Sequence, residues 1–282
     1  MQLSFEDCVT LLDGKKMPRL GLGVWQAQDG DEVENAIKSA VSSGYRSIDT
    51  AMGYGNEAGV GKAVRECGVS RDELFITTKL WNADQGYDTT IAACKDSLER
   101  LSMEYVDLYL IHWPCPGLGK YVDSWKALIE IQKRGWARSI GVCNFFPEHL
   151  EKIMEETGVK PVINQVELHP YLSQKPLIDF CRERGIQVEA YSPLMHGNLK
   201  KVTDLEEIAR KYGKTKAQVT LRWHLQNGLV VIPKSVHKER IAENCDIFDF
   251  ELTAEEMAKI DGMNQDKRFL PNPLEFNYVG TP

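Results

Sequence analysis

Arg46-Ser47-Ile48-Asp49-Thr50-Ala51-Met52-Gly53-Tyr54-Gly55-Asn56-Glu57 reads as the end of a short buried strand followed by a turn. Ser47 to Asp49 carry the strand pattern, the small and polar residues after them force the chain to turn, and helix-forming residues resume near Glu57. An acid therefore stands at a strand tip, with Tyr54 on the loop beyond it. A phenol with a pKa near 10 in water serves as a proton donor only if something lowers that value, which directs attention to cations at other strand tips. Lys79, closing Phe75-Ile76-Thr77-Thr78-Lys79, is the candidate, and His112, after Val106 to Ile111, is a third polar group in the same position.

The strand-then-helix rhythm extends in both directions. Upstream, Val9 to Leu12, the Asp13-Gly14 pair and the segment before Met17-Pro18 predict a small hairpin. Leu20 to Val24 predicts a glycine-rich strand, and Val33, Ile37, Ala40 and Val41 predict a helix ending at Gly44. Downstream, strands are expected over 75–79, 106–111, 139–142, 162–166, 187–190 and 229–232. Helices are expected over 58–66, 90–101, about 122–133, 147–155, 175–184, 205–212 and 217–226, with a final short one over 237–244. Eight short apolar strands separated by amphipathic helices indicate a parallel sheet covered by helices. At this length they favour a (β/α)8 TIM barrel with an N-terminal β-hairpin over an open doubly wound sheet. The fingerprint of the open sheet is absent, because Gly21-Leu22-Gly23 lacks the third glycine and opens no helix. Nothing resembling a linker interrupts the chain, so one domain over 1–282 is expected.

Composition narrows the function. At 282 residues, 43% hydrophobic and 27% charged, the chain has the make-up of an ordinary globular protein. A net charge of −7 without any basic tract argues against nucleic acid or anionic membrane as partners. The start, Met1-Gln2-Leu3-Ser4-Phe5-Glu6-Asp7, has neither the basic nor the apolar part of a signal peptide, and no apolar run reaches membrane-spanning length. The expectation is a cytoplasmic monomer. Seven scattered cysteines without a C-x-x-C pair read as reduced thiols.

In a barrel of this kind the chemistry gathers at the C-terminal ends of the strands. The residues there are Trp25, Asp49 with Tyr54, Lys79 with Trp81, His112 with Trp113, Cys143-Asn144, Gln165 with Glu167 and His169, Tyr191-Ser192, and Lys234-Ser235. A metal site built from Asp49, His112, Glu167 and His169 is disfavoured, because no ligand set has metal-site spacing. Together with Asn56-Glu57, Val106 to Pro114, Ile140 to Phe145, Asn164 to Pro170 and Ile232 to Ser235, these segments resemble the aldo-keto reductases in family order over essentially the whole chain. The resemblance is nearest to short-loop microbial reductases of the 2,5-diketo-D-gluconate reductase kind, with prostaglandin F synthase-like members next.

That resemblance implies a barrel that binds NADPH in extended form and reduces a small-molecule carbonyl to an alcohol. Tyr54 would be the general acid, Lys79 would bring its pKa toward the working range, Asp49 would hold Lys79, and a neutral His112 would orient the carbonyl oxygen. Asn144 and Gln165 would bond the nicotinamide carboxamide, Tyr191 with Ser192 beside it would stack on the ring, and Lys234, Ser235, Val236, Arg240, Glu243 and Asn244 would hold the adenosine end. Lys234 and Arg240 would supply the cations that a 2′-phosphate needs. Trp25, Trp81 and Trp113 would wall the substrate pocket together with His112. Cys143 stands where many members have serine, so its contact to the carboxamide would be softened. Gly53 in place of a bulkier residue would widen the pocket, and the short loop Cys115 to Lys120 would leave it open. The alternative is an NADPH-binding regulatory or structural protein on the same fold; the set Asp49, Tyr54, Lys79 and His112 argues for catalysis.

Overall fold

The computed structural model describes residues 3–281; Met1, Gln2 and Pro282 of the expected domain lie outside the described residues. Its central element is an eight-stranded parallel sheet whose spatial order is its sequence order. The strands are β3 (Leu22–Gly23), β4 (Ser47–Asp49), β5 (Phe75–Leu80), β6 (Val106–Ile111), β7 (Ala137–Cys143), β8 (Ile163–Glu167), β9 (Gln187–Tyr191) and β10 (Val230–Val231). Backbone bonds from Gly21 N to Val231 O (2.9 Å), Val231 N to Arg19 O (3.0 Å) and Gly23 N to Pro233 O (3.2 Å) join the first strand to the last and close the barrel. The seam is tight. A Cβ on Gly23 would stand 2.9 Å from the Ile232 carbonyl oxygen, so the closing strand needs glycine there.

Both faces of each strand are enclosed, and the two-residue period sorts them. On β5, Ile76 and Leu80 join the layer between barrel and helices, while Phe75 joins the interior cluster of Leu108, Leu110, Ile163 and Val230. The same alternation turns Lys79 inward at the top of the strand. A hairpin of β1 (Cys8–Thr10) and β2 (Lys16–Pro18) plugs the opposite end through Val9, Leu11 and Met17. Asp13-Gly14 lies in its turn, as the sequence predicts.

Eight of the ten outer helices are α1 (Asp31–Ser42), α2 (Glu57–Glu66), α3 (Tyr87–Leu101), α4 (Tyr121–Lys133), α5 (Pro147–Thr157), α6 (Lys175–Glu183), α7 (Glu206–Tyr212) and α8 (Lys216–Gln226). They begin and end within about three residues of the expected limits. α9 (Lys238–Cys245) follows, but it is not the last: α10 (Ala254–Asp261) was not anticipated. Thr253, whose side chain accepts from Glu256 N while Glu256 reaches back to Thr253 N, is the signal that marks it. The first and last strands of the sheet also differ, two residues each where five and four were expected. Among the described residues no helix is long and apolar enough to cross a membrane.

α2 lies against the end of α3 at Gly61, where an added Cβ would run into the backbone carbonyl of Leu101. Alanine is favoured over glycine inside a helix by ~1 kcal/mol. Here that gain is outweighed, because backbone cannot swing aside as a flexible side chain would. Gly61→Ala is expected to lower stability by ~1–3 kcal/mol, visible as an earlier melt by circular dichroism; an unchanged or later melt would mean that the helices separate at little cost.

Candidate active site

A cavity of about 480 Å³ opens at the C-terminal end of the barrel. Trp25, Tyr54, Trp81, His112 and Trp113 form one part of its wall, and Asn144, Gln165, Tyr191, Ser192 and Lys234 another. A second cavity of about 520 Å³ lies at the hairpin end, lined by opposed charges such as Arg138 and Asp107. Those charges serve the fold: Asp107 takes Arg71 at 2.7 Å and Arg138 at 3.8 Å.

At the floor of the first cavity the Lys79 ammonium is completely buried and bonded to three oxygens. It donates to Asp49 Oδ1 at 2.6 Å, to the Thr50 carbonyl at 2.9 Å and to Tyr54 Oη at 3.1 Å. β4 supplies the acid, β5 the amine, and the turn after β4 the phenol. The His112 ring follows β6 and meets the Tyr54 ring edge-on at 5.7 Å between centroids. The four residues singled out in the sequence thus converge on one point.

The loop that carries Tyr54 is fixed by the residues that follow it. Asn56 is buried, donates to the carbonyls of Val24 and Ala27 at 3.0 Å each, and accepts Thr50 Oγ1 at 2.7 Å. Glu57 takes Thr78 Oγ1 at 2.5 Å and Arg100 Nε at 2.7 Å. These bonds tie the turn to three neighbouring elements, so Tyr54 is held even though Gly53, which lines the cavity, fills little space.

Electrostatics follow from burial. Loss of water is the largest single influence on the Lys79 ammonium and works against it, yet the charge and hydrogen bond of Asp49 together with the neighbouring Tyr54 and Cys143 outweigh it and hold the group above its ordinary value. Burial likewise pushes the Tyr54 phenol up; Lys79 pulls it back and Asp49 adds to the rise. The net direction is opposite to the expected lowering, because desolvation exceeds the pull of one cation that already shares its charge with Asp49. The phenol therefore keeps its proton at neutral pH. His112 is held well below the usual imidazole value, first by burial and then by Lys79, and is neutral.

Along the other wall, Asn144 sits in the left-handed region at φ 63°, donates to the His112 carbonyl at 3.0 Å and accepts the Tyr191 hydroxyl at 2.7 Å. Gln165 donates through Nε2 to Asp49 Oδ2 at 2.8 Å. Cys143 is completely buried below this wall and is not part of it. Lys234 reaches the rim, exposed, with only a 3.3 Å bond to the Gln26 carbonyl. Ser235, Val236, Arg240, Glu243 and Asn244 lie beyond the cavity. Ser235 Oγ takes His237 N at 3.1 Å, Val236 packs on the core, Arg240 is exposed, Glu243 accepts Thr215 Oγ1 at 2.7 Å, and Asn244 is buried.

The cavity has a roof that no periodic pattern in the sequence announces. After α10 the chain returns across the barrel mouth, and Leu270, Pro271 and Phe276 line the cavity. Glu167 accepts Phe269 N at 2.7 Å, Leu270 N at 3.3 Å and His169 Nε2 at 3.1 Å, so this buried pair anchors the returning chain. Trp81 Nε1 donates to the Gly280 carbonyl at 3.0 Å, and Phe276 packs on Trp113 at 4.4 Å. Gly117 N donates to Asn277 Oδ1 at 2.7 Å, so the short loop expected to leave the site open is covered from the C-terminal side. His196 and Gly197, in the turn after β9, complete the wall near Trp25.

The sequence pattern of the Aldo/keto reductase family matches residues 19–265. Glyoxal reductase of Bacillus subtilis (strain 168) is 54% identical over 98% of this chain and 99% of its own length. Methylglyoxal reductase DkgA of Escherichia coli (strain K12) is 52% identical over 95% and 97%. Among solved structures, a mutant of Gox0644 in complex with NADPH superposes with a TM-score of 0.92 at 47% identity, covering 96% of this chain and 99% of that one.

Proposed function

The chain belongs to the aldo/keto reductase family, and from that premise we propose that it reduces a small 2-oxoaldehyde or related dicarbonyl to the hydroxy compound, with Tyr54 as general acid. It is an NADP-dependent oxidoreductase. The observation that carries the proposal is the floor of the cavity: one buried ammonium bonded at once to Asp49 and to the hydroxyl of Tyr54, under aromatic walls.

The wall suits a nicotinamide. Gln165 has no hydrogen bond to its carbonyl oxygen from any described residue, and Asn144 has an amide hydrogen to spare. Bound NADPH supplies the hydride. Tyr54, still protonated, gives its proton to the substrate oxygen as negative charge develops there, and Lys79 stabilises the phenolate left behind. Asp49 keeps the ammonium in place. Neutral His112, beside Tyr54 on the same wall, offers the oxygen a second hydrogen bond without competing as an acid. Trp25, Trp81, Trp113 and Phe276 exclude water and favour a compact substrate.

Lys234 and Arg240 account for the choice of NADP over NAD. Neither is paired with a carboxylate among the described residues, which leaves both cations free for a phosphate. Arg240→Ala is expected to raise the Kd for NADPH by about tenfold or more, as for the loss of one charge-assisted bond, and to leave the Kd for NADH within about twofold. Titration by fluorescence checks this, and parallel weakening of both cofactors would refute the assignment.

Turnover of methylglyoxal, a diketo sugar acid, a β-keto ester and an aromatic aldehyde with NADPH tests the substrate proposal. The compact 2-oxoaldehyde is expected to give the highest kcat/KM; a higher value for the diketo sugar acid would move the assignment to that class.

A further inference from the structure

Below the cavity lies a carboxyl group that the proposed chemistry does not use. Glu189, from β9, is completely buried, and its side chain has a single hydrogen bond among the described residues, Gln165 Nε2 to Oε2 at 2.8 Å. Its other oxygen, Oε1, is buried without a partner. Burying a carboxyl group is unfavourable, and the one group this carboxyl engages belongs to the cavity wall.

Gln165 Nε2 also donates to Asp49 Oδ2 at 2.8 Å. The atom shared by the two carboxyl groups must be nitrogen, because Asp49, ion-paired through its other oxygen with Lys79, can only accept. Both amide hydrogens of Gln165 are therefore engaged inside the barrel, and its carbonyl oxygen is the group left for the cavity. Asn144 is its complement: Nδ2 gives one hydrogen to the His112 carbonyl, Oδ1 accepts Tyr191, and one N–H is left over. One acceptor and one donor on a shared wall match a primary carboxamide. Burial and the neighbouring Asp49 push the Glu189 carboxyl up to about 8, so near neutral pH it accepts from Gln165 without placing a second full anion beside Asp49.

We propose that Glu189 is a positioning residue that locks the Gln165 amide with its carbonyl oxygen toward the cavity, and thereby selects cofactors whose pyridine ring carries a primary carboxamide. This rests on the reading of the cavity as a nicotinamide site. Without Glu189 one amide hydrogen of Gln165 is released, the side chain turns, and the wall no longer distinguishes an amide from a ketone.

The test is equilibrium binding, by quenching of protein fluorescence, of NADPH and of its 3-acetylpyridine analogue, in which a methyl group replaces the amide nitrogen. Wild type is expected to prefer NADPH by about fivefold to tenfold, the size of one hydrogen bond. Glu189→Met is expected to bring that preference below about twofold, and Glu189→Gln, whose side-chain carbonyl still accepts from Gln165, to restore it. Each variant is compared after its circular dichroism matches wild type, with Glu189→Ala replacing a methionine variant that does not fold. A ratio of affinities is insensitive to general loosening of the barrel. Undiminished preference in Glu189→Met, equal loss in the methionine and glutamine variants, or no preference in wild type would each overturn the role of Glu189. Failure of wild type to bind NADPH at all would instead overturn the nicotinamide reading.

Discussion

Tyr54→Phe is expected to lower kcat for NADPH-dependent carbonyl reduction by ~10²–10⁴-fold, the range for losing a positioned general acid. The ring stays and only the hydroxyl goes. Among the described residues that hydroxyl has one partner, Lys79, which keeps its bonds to Asp49 and Thr50. The Kd for NADPH and the melting temperature should therefore move little. Because burial raises the Tyr54 phenol, its proton is present throughout the neutral range, and the wild-type kcat should not fall there through loss of that proton as pH rises. Steady-state kinetics beside cofactor titration check this; a kcat above one tenth of wild type would remove Tyr54 from the proton transfer.

Lys79→Met is expected to affect both activity and stability. Methionine has a similar length, so the dominant change is electrostatic: the buried Asp49 Oδ1 loses its cation. Breaking a buried ion pair from one side costs ~3–5 kcal/mol. The phenol loses the one neighbour that favours its ionised form, so kcat should fall by ~10³-fold or more even well below the melting transition. Chemical denaturation and turnover measured at low temperature separate the two effects. Stability within about 1 kcal/mol of wild type would show that Asp49 finds another donor, and turnover within tenfold would exclude an electrostatic role for Lys79.

The floor of the cavity was legible because two-residue periodicity and strand-end position suffice to bring Asp49, Lys79 and His112 to one end of a parallel barrel. Tyr54 followed from its place on the turn after β4. What the pattern could not convey lies in contacts between distant segments. Trp81 bonds the Gly280 carbonyl 199 residues away, and the returning chain, with Pro271 and Pro273, has no period to read. Glu189 was hidden for another reason: Gln187-Val188-Glu189-Ala190 alternates like a strand with one face in water, whereas closure of the barrel puts Glu189 inside. The same closure withdrew Cys143 from the wall. The rise of Tyr54 rather than its expected fall reflects depth of burial, which residue identities alone do not reveal.

The most direct test of the account is isotopic. Methylglyoxal is incubated with the protein and NADPH that carries deuterium at the transferable position, and the product is examined by mass spectrometry. The account predicts one deuterium on the former carbonyl carbon in wild type and almost no product with Tyr54→Phe. Product without the label, or NADPH bound by both proteins with no product from either, would contradict it.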